Sequence, residues 1–507
     1  MNHEQEFSEH VEVIYSEPTL DAGRLESSQE LGSQEMIKVP AAATRDIRKV
    51  LPFVPGLITD AAGGVHINGS TASQVQFLLD GFALENPGTD VFDARISSES
   101  IRSLEALTSR YSAEYGKASG GVVRLSSGAP DDHFRFSATD FFPSFQTRNG
   151  LHLDNFTPRT ALSGPLVKGK AWIYQALEGE FGQDVIEELP EGADTNQRIQ
   201  FNSLTKVQLN LSRSNILSTS AFVNVHRENH YGLTAFNPQQ TTIEKDKDFF
   251  LVGVRDQLFL PAGVVEFSGA ATRATASDRP MGQEPYEVEY QQSRGNFFKS
   301  STSRADSLEG SASLTVPPER NGGHQVKLGA QATWRGLVGR EERRPITMLR
   351  DDGRPLRRIT YDEFRRVKVG NVELAGFVQD RWWVLQNLSV ELGLRFDWDR
   401  LLRVPVFSPR FAASVLANPK TKLTVGAGLL CDTTNLSVLA ASQYAARSDV
   451  FFKDGVESLI HSRFEGDVGQ LQPPKALTWS ASIERQVGSS LLAGELTQRR
   501  AWCYAAD

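Results

Sequence analysis

The stretch Leu388-Ser-Val-Glu-Leu-Gly-Leu-Arg-Phe-Asp-Trp398 alternates apolar and polar residues from end to end. Successive side chains of a β-strand point to opposite faces, so this period of two predicts a strand with one apolar and one polar face. A run of about ten residues is also the length of a tilted strand that crosses a lipid bilayer.

The same alternation recurs through the second part of the chain, for example in 325–334, 422–429 and 477–484. It predicts about fifteen strands, which start near residues 133, 159, 171, 201, 216, 248, 264, 305, 324, 371, 388, 407, 421, 475 and 490. Most connections alternate between short turns and long loops, the long ones being 182–199, 229–246, 277–304, 339–370 and 432–474. Short turns on one side and long loops on the other are typical of an outer-membrane barrel, and a soluble β-sandwich or propeller has no reason to sort its loops in this way.

Composition removes several other classes of protein. The chain has 507 residues, of which 39% are hydrophobic and 23% charged, and its formal net charge is -8. This acidic balance gives no overall attraction to nucleic acid. The two cysteines, Cys431 and Cys503, cannot build a disulfide-rich scaffold or a zinc site with three or four thiolates.

The chain divides into three predicted parts. Residues 1–35 are polar and acidic and are expected to be a flexible N-terminal segment. Residues 36–130 form a compact mixed domain, in which 43–51 and 98–109 have helix-like patterns and short strands lie between glycine-rich turns. Residues 131–507 consist of the alternating strands.

Three motifs in the compact domain occur in a specific order. They are Leu51-Pro-Phe-Val-Pro-Gly-Leu57, the stretch from Ile67-Asn-Gly to Leu79-Asp-Gly81, and Ile101-Arg-Ser-Leu-Glu-Ala-Leu107 followed by Tyr111-Ser-Ala-Glu-Tyr-Gly116 and Gly120-Gly-Val-Val-Arg-Leu125. Together they resemble the plug domain of TonB-dependent outer-membrane receptors over residues 47–130. Two departures are mild: Asn68 stands where arginine is usual, and Arg110-Tyr111 replaces the common Gly-Pro.

The later strands resemble the barrel of the same family. Phe377-Val-Gln-Asp-Arg-Trp-Trp383 with Leu392-Gly-Leu-Arg-Phe396 looks like one family hairpin, and Phe407-Ser-Pro-Arg-Phe411 with Val425-Gly-Ala-Gly428 looks like the next. The resemblance implies a mostly β fold, in which a small α+β plug domain (36–130) lies inside an antiparallel transmembrane β-barrel (131–507). About fifteen of the expected 22 strands are present. The implied location is the cell outer membrane.

The family resemblance also implies a function. Such a receptor binds a solute at the cell surface and admits it to the periplasm when the TonB protein moves the plug; siderophore, cobalamin, glycan and peptide all remain open as the solute. The implied partners are the TonB periplasmic domain, outer-membrane lipid and lipopolysaccharide, and the solute, with no nucleic acid, cofactor or metal. The predicted TonB contact is the β-prone patch Val11, Glu12, Val13, Ile14 and Tyr15. The predicted ligand contacts are Asn68, Ser70, Asn86, Asp90, Arg343 and Arg344.

Enzymatic motifs do not support a competing function. The stretch 164–170 nearly spells a phosphate-binding loop, but Ala171 stands where Ser or Thr should hold magnesium. No Gly-x-Ser-x-Gly or His-Glu-x-x-His motif occurs. The sequence therefore predicts that the protein is not an enzyme.

The two ends differ from those expected of a complete receptor. Met1–His10 lacks the basic and apolar regions of a secretory signal, and the last residues are Trp502-Cys-Tyr-Ala-Ala-Asp507 rather than a strand with an aromatic end. The sequence therefore predicts a truncated or frameshifted copy of a receptor gene. The alternatives are an outer-membrane binding or adhesion protein without transport, and a non-functional fragment.

Overall fold

The computed structural model describes residues 20–39, 46–61, 63–318, 323–361, 364–432, 434–441, 447–453, 456–462, 473–488 and 490–502. Within these ranges a small N-terminal domain, the plug, lies inside a wall of long antiparallel strands, the barrel. The predicted TonB contact at Val11–Tyr15 lies outside the described residues.

The plug combines short helices with a five-stranded sheet. Its helices are α1 (Ser33–Lys38) and α2 (Ile47–Val50), with 3-10 turns at Leu51–Phe53, Ala72–Gln74 and Ser98–Ser100. Its strands are β1 (Ser28–Gly32), β2 (Leu57–Thr59), β3 (Val65–Ile67), β4 (Val75–Leu79), β5 (Phe82–Ala83), β6 (Ile101–Leu107) and β7 (Gly121–Ser127). The sheet has the order β1-β6-β7-β4-β5, and β2 pairs separately with β3. Because β1 pairs with β6, residues 28–32 belong to the plug sheet and not to the polar N-terminal segment.

One secondary-structure prediction in the plug was wrong. The stretch 98–109 was expected to be helical because its apolar residues Ile101, Leu104 and Leu107 are three positions apart. Residues 101–107 instead form β6, the strand between β1 and β7. Neighbouring strands cover it on both edges, so pairing within the sheet overrides the local spacing.

The barrel strands follow the plug. In chain order the remaining elements are β8 (Arg135–Thr139), β9 (Ser144–Gln146), β10 (His152–Phe156), β11 (Arg159–Val167), β12 (Ala171–Val185), β13 (Thr195–Ser212), β14 (Asn215–Tyr231), a 3-10 turn (Gln239–Thr241), β15 (Ile243–Leu260), β16 (Gly263–Pro280), β17 (Tyr286–Val288), β18 (Ser293–Arg294), β19 (Lys299–Val316), β20 (His324–Arg343), β21 (Ile346–Leu349), β22 (Pro355–Tyr361), β23 (Phe364–Leu385), β24 (Leu388–Asp399), β25 (Val406–Asn418), β26 (Thr421–Cys431), α3 (Leu436–Ala441), β27 (Arg447–Lys453), β28 (Val456–Ser462), β29 (Lys475–Val487) and β30 (Ser490–Trp502).

Fifteen of these strands build the wall within the described residues: β8, β11–β16, β19, β20, β23–β26, β29 and β30. The short β10 pairs with the upper end of β12, and β9 pairs with β10. In the circular order of the wall, β30 lies next to β8. The residue-by-residue pairing of neighbouring strands is continuous from β8 and β11 along the wall to β29 and β30. The mostly β fold with about fifteen strands is therefore as predicted.

Side chains alternate along the wall as the sequence predicted. The outward face carries exposed apolar residues, which include Phe250, Val252, Val254, Leu308, Leu328, Trp334, Leu374, Val378, Leu392, Leu394, Phe411, Val425, Leu477, Trp479 and Ile483. The inward face carries polar and charged residues such as Lys206 and Arg395, which contact the plug. This alternation gives lipid an apolar surface and gives the plug a polar one.

Several strands are longer than the hydrophobic pattern indicated. Strands β13, β15, β19 and β23 begin up to seven residues before their predicted starts, and β20 continues to Arg343. The stretch 339–370 was predicted to be one loop, but β20 and β23 pair through it as far as Glu342 and Phe364. Most residues of these extensions are polar, with exceptions such as the buried Ile243 and Val367, and the ladder of backbone hydrogen bonds continues through them.

The long connections carry structure of their own. Three of them supply β17, β18, β21, β22, β27 and β28, which form a six-stranded outer sheet. The connection after β26, which supplies β27 and β28, first turns into the lumen, where α3 packs against β20 and β23. No helix within the described ranges is long and apolar enough to cross a membrane.

Val252 tests which face of the wall meets lipid. Its side chain points outward at the middle of β15 and is 50% exposed. We expect Val252→Arg to reduce the free energy of unfolding in lipid vesicles by about 2–4 kcal/mol, because the charge would enter the bilayer centre. Val338→Arg is the matched control. Val338 lies higher on the outward face, opposite Arg304 and Lys368, and its substitution should change stability by less than about 1 kcal/mol. Equal effects in urea titrations would contradict this orientation.

Candidate functional site

Apolar side chains form a large part of the contact between plug and wall on one side of the lumen. Tyr174, Leu204, Phe222 and Leu251 point inward from β12–β15 and join the hydrophobic core of the plug. The Tyr174 hydroxyl also donates a hydrogen bond of 3.1 Å to the Ser100 carbonyl of the plug. This side anchors the plug through burial of hydrophobic surface.

Arg335 organises the charged side of the contact. Its guanidinium lies on β20 and binds the plug carboxylate of Asp90 and, at 2.5 Å, the Glu373 carboxylate on β23. Glu373 also accepts a hydrogen bond from the Lys117 ammonium of the plug. Arg335 and Glu373 are 5% and 3% exposed, so these charges are almost entirely removed from water. Burial raises the pKa of Asp90 to about 6, although Arg335 opposes that shift.

A second set of ion pairs fastens the opposite part of the plug. The Arg95 guanidinium binds Glu178 at 2.8 Å and Glu180 at 2.6 Å, both on β12. Asp80, in the turn between β4 and β5, binds the Lys206 ammonium at 3.1 Å and accepts a hydrogen bond of 2.9 Å from the Ser220 hydroxyl. All of these contacts join the plug to the wall.

The Tyr111–Gly116 motif lies where two wall arginines converge. Arg410 donates hydrogen bonds to the backbone carbonyls of Tyr111, Ser112 and Tyr115. Arg395 donates to the Glu114 carbonyl at 2.9 Å, and a Cβ atom on Gly116 would lie 2.1 Å from its Nε. The glycine is therefore required because the guanidinium packs directly on the backbone.

Arg110, which replaces the usual glycine of this motif, anchors the plug to the last wall strands. Its Nη1 donates to the Ser480 hydroxyl at 2.5 Å and its Nη2 to the Ser482 hydroxyl at 2.9 Å. The neighbouring Ser109 hydroxyl donates to Glu495 on β30 at 2.5 Å. The departure from the family pattern thus adds a contact specific to this chain.

Residues 432 and 434–441, the inner loop segment, cover the plug from the side of the long loops. The Asp432 carboxylate accepts hydrogen bonds from the Ser119 amide at 2.7 Å and the Gln74 amide group at 2.8 Å. The Ser437 amide donates to the Gly88 carbonyl at 2.8 Å. Burial raises the pKa of Asp432.

A large cavity of about 1130 Å³ runs between the plug and the inward faces of β16, β19 and β20. Much of its wall consists of small polar side chains, and the Arg335 ion pairs line one end. Glu85 of the plug and Glu309 of β19 also line it, and within the described residues neither carboxylate has an ion-pair partner. No three His, Cys, Asp or Glu side chains of the described part of the chain converge to hold a metal ion.

Among the predicted ligand contacts of the plug, Asp90 forms an ion pair with Arg335 of the wall. Asn68 has a left-handed φ of 49° and donates to the Thr108 carbonyl at 3.0 Å. The Ser70 hydroxyl accepts from the Ile67 amide at 3.1 Å, and Asn86 accepts from the Gly88 amide at 2.9 Å. These three side chains hold turns of the plug, and their role in ligand contact stays a prediction.

The two predicted arginines lie together near the outer sheet. Arg343 pairs with Glu341, and its guanidinium carbon lies 5.1 Å from the centre of the Tyr361 ring. Arg344 donates to the Phe297 carbonyl at 2.6 Å and the Gly282 carbonyl at 3.1 Å. Both side chains brace long loops, and their contact with a ligand likewise stays a prediction.

Sequence reasoning missed Arg335, Glu373, Arg410 and Asp432 as parts of the site. The sequence carried a weak signal for three of them, because Arg335, Glu373 and Arg410 fall on the polar face of strands in which apolar and polar residues alternate. Nothing in the sequence, however, indicates which plug residue each one meets.

Glu85 gives the site a measurable pH dependence. Burial, reinforced by the carboxylates of Glu309 and Asp90, raises the pKa of Glu85 from 4.5 to about 8, although its bond from the Phe77 amide opposes the shift. The folded protein then holds a proton that the unfolded chain releases, so its contribution to stability is lost as pH rises from about 4.5 to about 8. We expect calorimetry in detergent to show that stability declines less between about pH 4.5 and about pH 8 in Glu85→Gln than in the wild type. Glu187→Gln, at an exposed loop, is the control and should follow the wild type. Parallel curves for all three proteins would contradict this assignment.

Arg335→Met tests whether the buried ion pairs hold the plug. The substitution leaves the Asp90 and Glu373 carboxylates without this partner, and loss of one member of a buried pair typically costs 3–5 kcal/mol. We expect faster hydrogen exchange in β4 and β5 and earlier proteolysis of the plug. Arg273→Met is the matched control, because the Arg273 side chain is 56% exposed on the outer wall and its ion pair should be worth less than about 1 kcal/mol. If hydrogen exchange in Arg335→Met is unchanged, these ion pairs do not anchor the plug.

Comparison with known proteins follows the same division of the chain. Residues 26–123 match the TonB-dependent Receptor Plug Domain family. Over 194 residues the chain is 27% identical to the TonB-dependent transporter Oar of Myxococcus xanthus. That alignment covers 34% of this chain and 18% of Oar, so the chain matches less than a fifth of this relative's length.

Solved structures extend the likeness to the barrel. The outer membrane transporter YddB from Escherichia coli superposes with a TM-score of 0.70 at 14% identity, covering 94% of this chain and 69% of that one. The siderophore receptor PirA from Acinetobacter baumannii gives 0.68 at 16% identity, covering 94% and 70%. The ferric enterobactin receptor PfeA from Pseudomonas aeruginosa gives 0.68 at 13% identity, covering 96% and 73%. At these identities the likeness to solved structures establishes the fold, a plug inside a β-barrel, and the family match covers residues 26–123, the plug.

Proposed function

We propose that the protein binds a solute at the cell surface and admits it to the periplasm when TonB moves the plug. The observation that carries this proposal is that the plug contacts the wall partly through polar and charged groups, beside a cavity of about 1130 Å³. Water can replace the polar contacts on the charged side when the plug shifts, whereas a fully apolar interface would resist entry of water.

The relatives named above narrow the class of solute without fixing it. PirA and PfeA are described as receptors for siderophores or ferric enterobactin, and Oar as a TonB-dependent transporter. A scarce, bulky solute of the outer medium therefore fits this chain best. The long connections and the upper plug surface would supply its first contacts, with Arg343 and Arg344 in the former and Asn68, Ser70, Asn86 and Asp90 in the latter.

TonB would engage the chain ahead of the plug. Residues Val11–Tyr15 are β-prone and suit pairing with an added strand, which relies on backbone hydrogen bonds. Within the described residues, the first strand after this patch is β1, which lies at the edge of the plug sheet and pairs with β6. A pull on the N-terminal segment would therefore act first on β1 and, through it, on the plug sheet.

Lipopolysaccharide is a further proposed partner. Arg227 of β14, Arg279 of β16 and Arg304 of β19 point outward above the apolar face of the wall. Arg273 of β16 points outward at the upper edge of that face, opposite Phe250. They form ion pairs with Asp246, Asp248, Glu244 and Asp306. Arginines at this height can reach the phosphate groups of the outer leaflet through charge-assisted hydrogen bonds.

Ser480→Cys tests whether TonB moves the plug. Ser480 is 2% exposed on β29, and Arg110 and Ser109 of the plug cover it. In a background with Cys431→Ser and Cys503→Ser, we expect a small maleimide to label this cysteine in energised cells that contain TonB. Cells without TonB, and a variant that lacks residues 11–15, should remain unlabelled.

Leu356→Cys is the control for access of the reagent. Leu356 is exposed on the outer sheet and should be labelled at the same rate in every strain. If Ser480→Cys stays unlabelled in energised cells whose Leu356→Cys reacts, the plug does not move, and a binding protein without transport becomes the better description.

A further inference from the structure

We propose that the cavity beside the plug contains a binding site for an organic cation, formed by Glu85 and Glu309 with acceptor atoms of Gln76, Asp90 and Thr272. This inference rests on the proposed function, because it assigns a chemical class to the solute that would pass the plug. It predicts a solute with ammonium or guanidinium groups.

The first observation is a surplus of acceptors in the cavity. Glu85 and Glu309 line it without an ion-pair partner among the described residues. The Lys117 and Arg335 cations, which also line it, are already bound by Glu373 and Asp90. A cation that enters this part of the cavity therefore meets two carboxyl groups without an ion-pair partner. Its charge would lower the raised pKa of Glu85, so that Glu85 can bind it as a carboxylate.

The second observation is independent of the carboxylates. Three buried oxygen atoms that line the same cavity have no hydrogen-bond partner: Thr272 Oγ1, Asp90 Oδ2 and Gln76 Oε1. Thr272 is 4% exposed and Asp90 is 9% exposed. Unpartnered buried acceptors are unfavourable, and a ligand with several N–H donors would satisfy them.

The strand register places these groups together. Glu309 faces Ala270 on β16 and Thr333 on β20, while Thr272 faces Ser307, the next inward residue before Glu309. Thr272 is therefore a diagonal neighbour of Glu309, at a separation of about 7–8 Å. Glu85 approaches from the plug, where the Phe77 amide donates to one of its carboxylate oxygens and orients the side chain.

The donor set favours an organic cation over a metal ion. Within the described residues no three carboxylate, imidazole or thiolate side chains converge as metal ligands. The acceptors are instead spread between the two walls of a cavity of about 1130 Å³, which is large enough for an extended molecule. Separate ammonium groups on one flexible molecule could reach both carboxylates, and each charged hydrogen bond is stronger than a neutral one.

Spermidine is the probe for this site. Titration calorimetry of the purified full chain in detergent should show saturable binding of spermidine and none of succinate, an anion of similar size. We expect Glu309→Gln and Glu85→Gln each to weaken binding at least tenfold, and Thr272→Val to weaken it about threefold. Thermal melts in the same detergent would establish that each variant remains folded.

Glu30→Gln is the matched control, because Glu30 lines the exposed mouth of the same cavity and the substitution removes the same charge. Its affinity should equal that of the wild type. The proposal is overturned if titration with spermidine up to about 10 mM shows no saturable binding by the wild type with a Kd below about 1 mM. It is also overturned if Glu30→Gln weakens binding as much as Glu309→Gln. Calorimetry needs no TonB, so the absence of spermidine binding would not affect the labelling test of Ser480→Cys. In the same way, the absence of labelling would not affect the result for spermidine binding.

Discussion

The position of the plug depends on charged side chains that are buried between the plug and the barrel wall. Arg335 reaches from the barrel wall to Asp90 of the plug and to Glu373 of the next strand, and Lys117 of the plug completes the set. Arg335, Asp90 and Glu373 are buried, so each of these charges requires its partners in place. The network therefore fixes the plug in one position and also makes that position sensitive to the loss of any member.

The two sides of the plug are held by different combinations of forces. Apolar side chains from β12–β15 join its core beside the ion pairs of Arg95 and Asp80, while arginines of β20, β24 and β25 bind its charges and backbone carbonyls. Hydrophobic contact is favourable over a broad area and tolerates sliding poorly, whereas hydrogen bonds can be exchanged for bonds to water. The cavity lies against β16, β19 and β20, where plug and wall are least closely packed. This arrangement gives the plug an anchored side and a side that water can enter.

The accuracy of the sequence predictions follows the physics of each element. The wall strands were predicted well because lipid and lumen impose opposite demands on alternate residues over their whole length. Residues 101–107 were taken for a helix because apolar positions three apart fit that period, and only their place between β1 and β7 makes them a strand. The upper parts of β20 and β23 read as a loop in the sequence because most of their residues are polar, and only the tertiary structure packs Val367 against α3.

The sequence by itself determined the alternation of the wall, the order of the plug motifs and the glycine of the Tyr111–Gly116 turn, since each depends on neighbours in the chain. The tertiary structure alone decided which wall residue meets which plug residue. Arg335 and Asp90 are 245 positions apart, and Arg110 and Ser480 are 370 apart. No local pattern encodes such pairs, because they arise only when the closed curvature and register of the strands bring distant residues to one level of the lumen.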